Sequence, residues 1–184
     1  MEQVKQFKKY AYLALMFAPL VVSLFVVWFL PETIVSRMDL AGNVTATASR
    51  FSIFLFPILV AILGFAIRVA SSSPKLTGGN VRTARSISWI LLLLLNVIAY
   101  FQFWLYLGGM TAGAQMSRFL TFILGVFFIL IGNLAPKIKE NSKHFGFRAS
   151  WLKNNDAAFR KTQRFFGIAS VVAGVLMMLT GIFM

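Results

Sequence analysis

The chain of 184 residues has no cysteine, one histidine and only five acidic residues. Without cysteine there can be no disulfide, no thiolate nucleophile and no cysteine-based metal site. A single histidine and acids scattered one at a time leave little from which to build a zinc ligand set or an acid–base pair. No cofactor, metal or catalytic residue is therefore expected, and the chain reads as a non-enzyme. Charge is scarce altogether: 12% of residues are charged, against about a quarter in soluble domains. What fills the chain instead is apolar. Hydrophobic residues make up 59%, with 20 phenylalanines and a mean hydropathy of +0.79. In water such a fold would expose large apolar areas, so the composition indicates a membrane protein. The net charge of +13 would suit a nucleic-acid binder, but not beside so much phenylalanine, and no direct nucleic-acid partner is expected.

Five runs are long enough to cross a hydrocarbon core about 30 Å thick as helices. They cover about 11–30, 51–67, 87–107, 119–135 and 165–184, the fourth closed by Pro136 and the second by Arg68, whose stem can snorkel. The expected fold is all-α, a polytopic transmembrane helical bundle forming a single membrane domain over 1–184. The charges between the spans alternate. The N-terminal tail, the second loop and the fourth loop carry net +2, +4 and +6, while the first and third carry 0 and +1. By the positive-inside rule the N-terminus is cytoplasmic and the C-terminus outside. Ala46-Thr47-Ala48 resembles a signal-peptidase site but lies too far beyond an apolar run that is too long. Leu30-Pro31-Glu32-Thr33 resembles a sortase signal but lacks its glycine, since Ile34 follows. Asn43-Val44-Thr45 is a glycosylation sequon on the outside loop.

On these boundaries no ionisable side chain lies within a span, which argues against a proton-coupled carrier. Asn96 and Gln102 are the main intramembrane polar residues; their expected role is interhelical hydrogen bonding, worth about 1 kcal/mol or less each. A small-solute carrier or channel using them is the alternative function. Gly167, Gly174 and Gly181 recur every seven residues in the last span, a small-residue stripe suited to close packing within the bundle and also to a homo-oligomer. Pro19 and Pro57 are expected to kink their helices, and Met177 and Met178 to be packing residues. Ser71 to Asn80 reads as a turn-rich linker whose Gly78-Gly79 does not fit a phosphate-binding loop. In the last loop, 136–164, basic residues alternate with Phe145, Phe147, Trp151 and Phe159, a texture suited to an anionic headgroup surface. His144 is a solvated loop residue.

That loop also carries a recognisable pattern. Gly132-Asn133-Leu134-Ala135-Pro136-Lys137, then Asn141, Gly146-Phe147-Arg148 and Trp151, then Phe159, Lys161, Thr162, Arg164 and Gly167 resemble the SdpI family of bacterial membrane proteins in order and spacing. Phe159 stands where the family more often has Trp. The resemblance covers about a fifth of the chain. More weakly, Leu30-Pro31, Ile34, Asp39 and Gly42 resemble the outside loop of the family's N-terminal two-helix module, with Val35 in place of a second Pro and Arg37 in place of a His. The resemblance implies a two-helix module over 11–70 and an SdpI-like three-helix region over 87–184, in a multipass protein of the bacterial cell membrane. It also implies immunity to a secreted toxin, signal transduction to a cytoplasmic repressor, or both. The partners it implies beyond the lipid bilayer are thus a peptide toxin and a repressor protein. Asn133, Pro136, Lys137, Asn141, Gly146, Arg148, Trp151, Lys161 and Arg164 would form the binding or structural motif. Asn133 is the residue best placed to cap carbonyls freed near Pro136. Topology is directly testable. An alkaline phosphatase fused after Met184 should be active and one fused after Lys75 inactive; the reverse pattern would overturn the orientation.

Overall fold

A computed structural model describes residues 2–38, 44–78, 80–108, 113–138 and 156–183. Its elements are α1 (Glu2–Val26), β1 (Thr33–Met38), β2 (Val44–Ser49), α2 (Leu55–Ser72), α3 (Pro74–Thr77), α4 (Val81–Gly108), α5 (Gly113–Leu134) and α6 (Asp156–Phe183). Short 3-10 turns follow α1 (Val27–Phe29), precede α2 (Arg50–Phe54) and follow α5 (Ala135–Lys137). Five helical segments are long and apolar enough to cross a membrane: Gln6–Phe29, Arg50–Ser72, Val81–Gly108, Ser117–Lys137 and Asp156–Phe183. The chain is thus an all-helical multipass membrane protein with a small hairpin. Inside a bilayer such helices satisfy their backbone groups internally, as the absence of water demands.

Three helices begin well before their apolar runs. α1 starts at Glu2, α4 at Val81 and α6 at Asp156, because helical periodicity continues into polar sequence. In α6 the buried positions Phe159, Gln163, Gly167, Ser170 and Gly174 keep a spacing of three or four from the polar turns into the apolar ones. The last part of the expected 136–164 loop is therefore helix.

The chain divides into two compact units, each described here by itself. One comprises 1–65 and 92–117, the other 66–91 and 118–184. In the first, the buried faces are Tyr12, Met16, Pro19 and Ser23 on α1, Pro57, Val60 and Gly64 on α2, and Leu92, Asn96, Ala99 and Phe103 on α4. A β-carbon on Gly64 would lie 2.9 Å from Met16 Cγ and 3.3 Å from Leu92 Cδ1, which fixes all three helices at one level. The Tyr12 hydroxyl donates to the Gly64 carbonyl at 3.0 Å. Beyond Phe103, the core closes with Val26, Val27, Leu30, Ile34 and Ile53.

α1 runs through Pro19 without a break. Pro57 falls in the first turn of α2, immediately after the 3-10 turn. There a missing N–H costs little, so the expected mid-span kink at Pro57 is replaced by a 3-10-to-α junction.

The first interhelical loop is a β-hairpin rather than an irregular connection. β1 and β2 pair antiparallel from Thr33 with Ser49 to Met38 with Val44, with register shifts on either side of Arg37. β-branched residues supply the strand preference. Ile34, 5% exposed, is the side chain that anchors the hairpin in the core, and the Arg50 N–H donates to Glu32 O at 2.9 Å to close its base. Arg50 lies 6.0 Å from the Trp28 ring centre and 5.4 Å from that of Phe51, a cation against two exposed aromatic faces.

The expected linker at 71–80 is ordered over its described residues. Ser71 Oγ donates to Arg68 O and Thr77 Oγ1 to Ser73 O, and Ser71, Thr77 and Asn80 are buried. Gly78 ends α3 at φ 57°, the left-handed conformation that a side chain disfavours. The Asn80 carbonyl then accepts from Ala84 N to start α4.

Tyr12→Phe removes the hydroxyl but leaves the Gly64 carbonyl its place in the α2 ladder, so nothing is orphaned. It should cost about 0.5–1 kcal/mol, read as a lowered unfolding midpoint in mixed micelles.

Candidate functional site

The second unit is organised by glycine. A β-carbon on Gly174 would meet the Gly125 carbonyl at 2.5 Å, and one on Gly125 would meet the Gly174 carbonyl at 2.6 Å. Seven residues away on both helices, Gly132 and Gly167 stand in the same relation at 2.7 Å. Seven residues beyond Gly174 in the other direction, a β-carbon on Gly181 would meet Arg118 O and Phe122 N at 3.0 Å. α5 and α6 thus lie antiparallel, backbone against backbone, over two heptads. The stripe expected on α6 is used in full by α5, so it is not free to receive a second copy of the chain. Its complement on α5, Gly125 and Gly132, was readable from the same seven-residue spacing. Met178 packs over Gly125, as a packing methionine should.

At the end of this contact Pro136 sits against Gly167, with its Cδ 3.1 Å and its Cγ 3.2 Å from where a β-carbon would be. The 3-10 turn at Ala135–Lys137 is closed by Ile138 N donating to Ala135 O at 3.1 Å. Gly132, Pro136 and Gly167 of the motif are therefore packing residues. Asn133 does not cap the helix among the described residues. It is exposed, and the turn starts with no side-chain cap. Lys137 is exposed, and Phe159 is buried at 3%. Asn141, Gly146, Arg148 and Trp151, with His144, Phe145 and Phe147, lie outside the described residues. So do Asp39, Gly42 and Asn43 of the outer loop.

The structure brings two of the motif's cations together. Lys161 and Arg164, with Arg160, Ala157 and Asp156, line an open groove of about 520 Å³ along the first turns of α6. All five are exposed. Their spacing of three and four places them on one helical face, beside the buried face through Phe159 and Gln163. Arg160 and Asp156 were not singled out by the motif, although both follow from helical spacing once α6 is known to begin at Asp156. Gln163, 1% exposed, carries no charge or motif that would have marked it as buried.

The intramembrane amides behave differently from expectation. Asn96 Nδ2 donates to Leu92 O at 2.9 Å and Gln102 Nε2 to the Tyr106 hydroxyl at 3.0 Å. Both bonds stay within α4, each to a partner four residues away along the helix. Asn96 Oδ1 is buried with no hydrogen-bond partner among the described residues.

Two family models match parts of the chain. The SdpI/YfhL protein family matches residues 137–184, and a domain of unknown function, DUF1648, matches residues 14–61. No curated protein and no solved structure matches the chain. The SdpI/YfhL match covers α6 and its glycine stripe, and it supports membership of that family. The glycine contact is testable by bulk. Gly174→Leu should cost about 1–3 kcal/mol through overpacking, and Gly64→Ala much less because only the flexible Met16 must move. Unfolding in mixed micelles measures both.

Proposed function

We propose that this SdpI/YfhL-family membrane protein is a non-enzymatic immunity or signalling component of a bacterial cell membrane. In this reading it protects its host from a secreted peptide toxin, transmits the toxin's presence to a cytoplasmic repressor, or does both. The family match over 137–184 is the observation that carries the proposal. The physical arrangement supports it. The motif separates into residues that lock α5 to α6, namely Gly132, Pro136 and Gly167, and residues left facing outward, namely Asn133, Lys137, Lys161 and Arg164. A purely structural signature would not need the outward set. Five exposed or surface-lining groups at the start of α6 offer a repressor a defined cationic surface.

The test is survival. The gene is expressed in a strain sensitive to candidate secreted peptide toxins, beside an empty vector. Protection against at least one toxin is expected, and it should weaken when Lys161 and Arg164 are both changed to Gln. Unchanged killing across all the toxins would remove the immunity role. Failure of any DNA-binding repressor to shift to the membrane fraction would remove the signalling role.

A further inference from the structure

Arg160, Lys161 and Arg164 converge on one open groove, with Asp156 the one carboxylate in its lining. The groove therefore carries a net charge of about +2 on the first three turns of a transmembrane helix. Directly along the same face, the chain turns apolar and stays uncovered: Phe165 is 73% exposed, Ile168 66% and Val172 53%. These positions follow Lys161 at intervals of three and four, and Ile168 and Val172 follow Arg164 at intervals of four, so Lys161, Arg164 and the apolar groups form a single stripe along the helix, with Arg160 on its flank. The charge pattern of the loops assigns the cationic end to the cytoplasmic side, where anionic lipids give the surface its negative potential.

We propose that this stripe is a binding site for one anionic phospholipid. Its phosphate lies between Arg160, Lys161 and Arg164, and an acyl chain runs along Phe165, Ile168 and Val172. Arginine suits the phosphate because its planar donors can grip two oxygens at once. The commitment to a lipid rather than a free phosphate rests on the continuity of the stripe. A soluble anion would use the three cations alone and gain nothing from the exposed apolar surface beneath them. The proposal stands apart from the toxin reading, since a lipid can hold α6 in place whatever the protein's partner.

The experiment uses the full chain in a neutral detergent, with phosphatidylglycerol and phosphatidylcholine as probes and native mass spectrometry as the readout. Phosphatidylglycerol should be retained in preference to phosphatidylcholine. Arg160→Gln, Lys161→Gln and Arg164→Gln should each weaken that retention about five-fold, the effect of one basic charge at an anionic surface. Asp156→Asn should strengthen it. Lys161→Arg, which keeps the charge, should retain the lipid, and Arg82→Gln, a cation at the start of α4, should leave retention unchanged. Thermal melts in neutral detergent establish that each variant is folded. Equal retention of the two lipids would overturn the proposal. So would an equal loss with Arg82→Gln, which would mean diffuse attraction, or full displacement by inorganic phosphate, which would mean a soluble-anion site.

Discussion

The distance between the Gly125 and Gly174 backbones governs the second unit. A β-carbon on Gly174 would lie 2.5 Å from the facing carbonyl, so there is no space for one, and lipid tails compete with helices for apolar contact on nearly equal terms. Association in a membrane therefore depends on van der Waals fit and weak polar contacts rather than on the hydrophobic effect. Two glycine pairs one heptad apart supply that fit, and the third contact at Gly181 extends it. Pro136 is seated on Gly167 by the same geometry, which fixes where the chain leaves α5. The position of the cationic groove follows from it, because the groove lies on the outer face of the same helix.

The first unit solves the same problem by other means. There the close approach is made by side chains, Met16 and Leu92 over Gly64, and by a tyrosine hydroxyl on a backbone carbonyl. Such contacts can adjust, whereas backbone on backbone cannot. The apolar core at the hairpin end, centred on Ile53 and Phe103, resembles that of a soluble domain. It draws Leu30 and Ile34 inward, so these two residues of the outer-loop resemblance serve the fold. Arg37, which stands where the resemblance has a histidine, is exposed on β1.

The five spans were legible because the hydrocarbon thickness imposes a length that few other constraints mimic. The glycines of α6 are legible by their period, and Gly125 and Gly132 on α5 keep the same seven-residue spacing, but spacing alone does not show that the two sets face each other. The hairpin was missed because two six-residue strands between long apolar runs leave only a brief alternation. The apolar runs begin at about 87 and 165, later than the helices at Val81 and Asp156, because hydropathy marks where lipid begins and not where helical hydrogen bonding begins. Lys161 and Arg164, read as part of the loop before the last span, therefore stand on α6. Asn96 was identified as buried and polar, but its choice of a partner in its own helix depends on local geometry that composition does not carry.

α6 has no break between Asp156 and Phe183. Lys161 and Gly167 are six residues apart in it, about 9 Å along a stiff rod. A load on the basic end cannot be absorbed by a hinge, since the helix offers none between the two points. It must arrive at the glycine seam, where the carbonyls of Gly132 and Gly125 leave almost no slack for α6 to slide past α5.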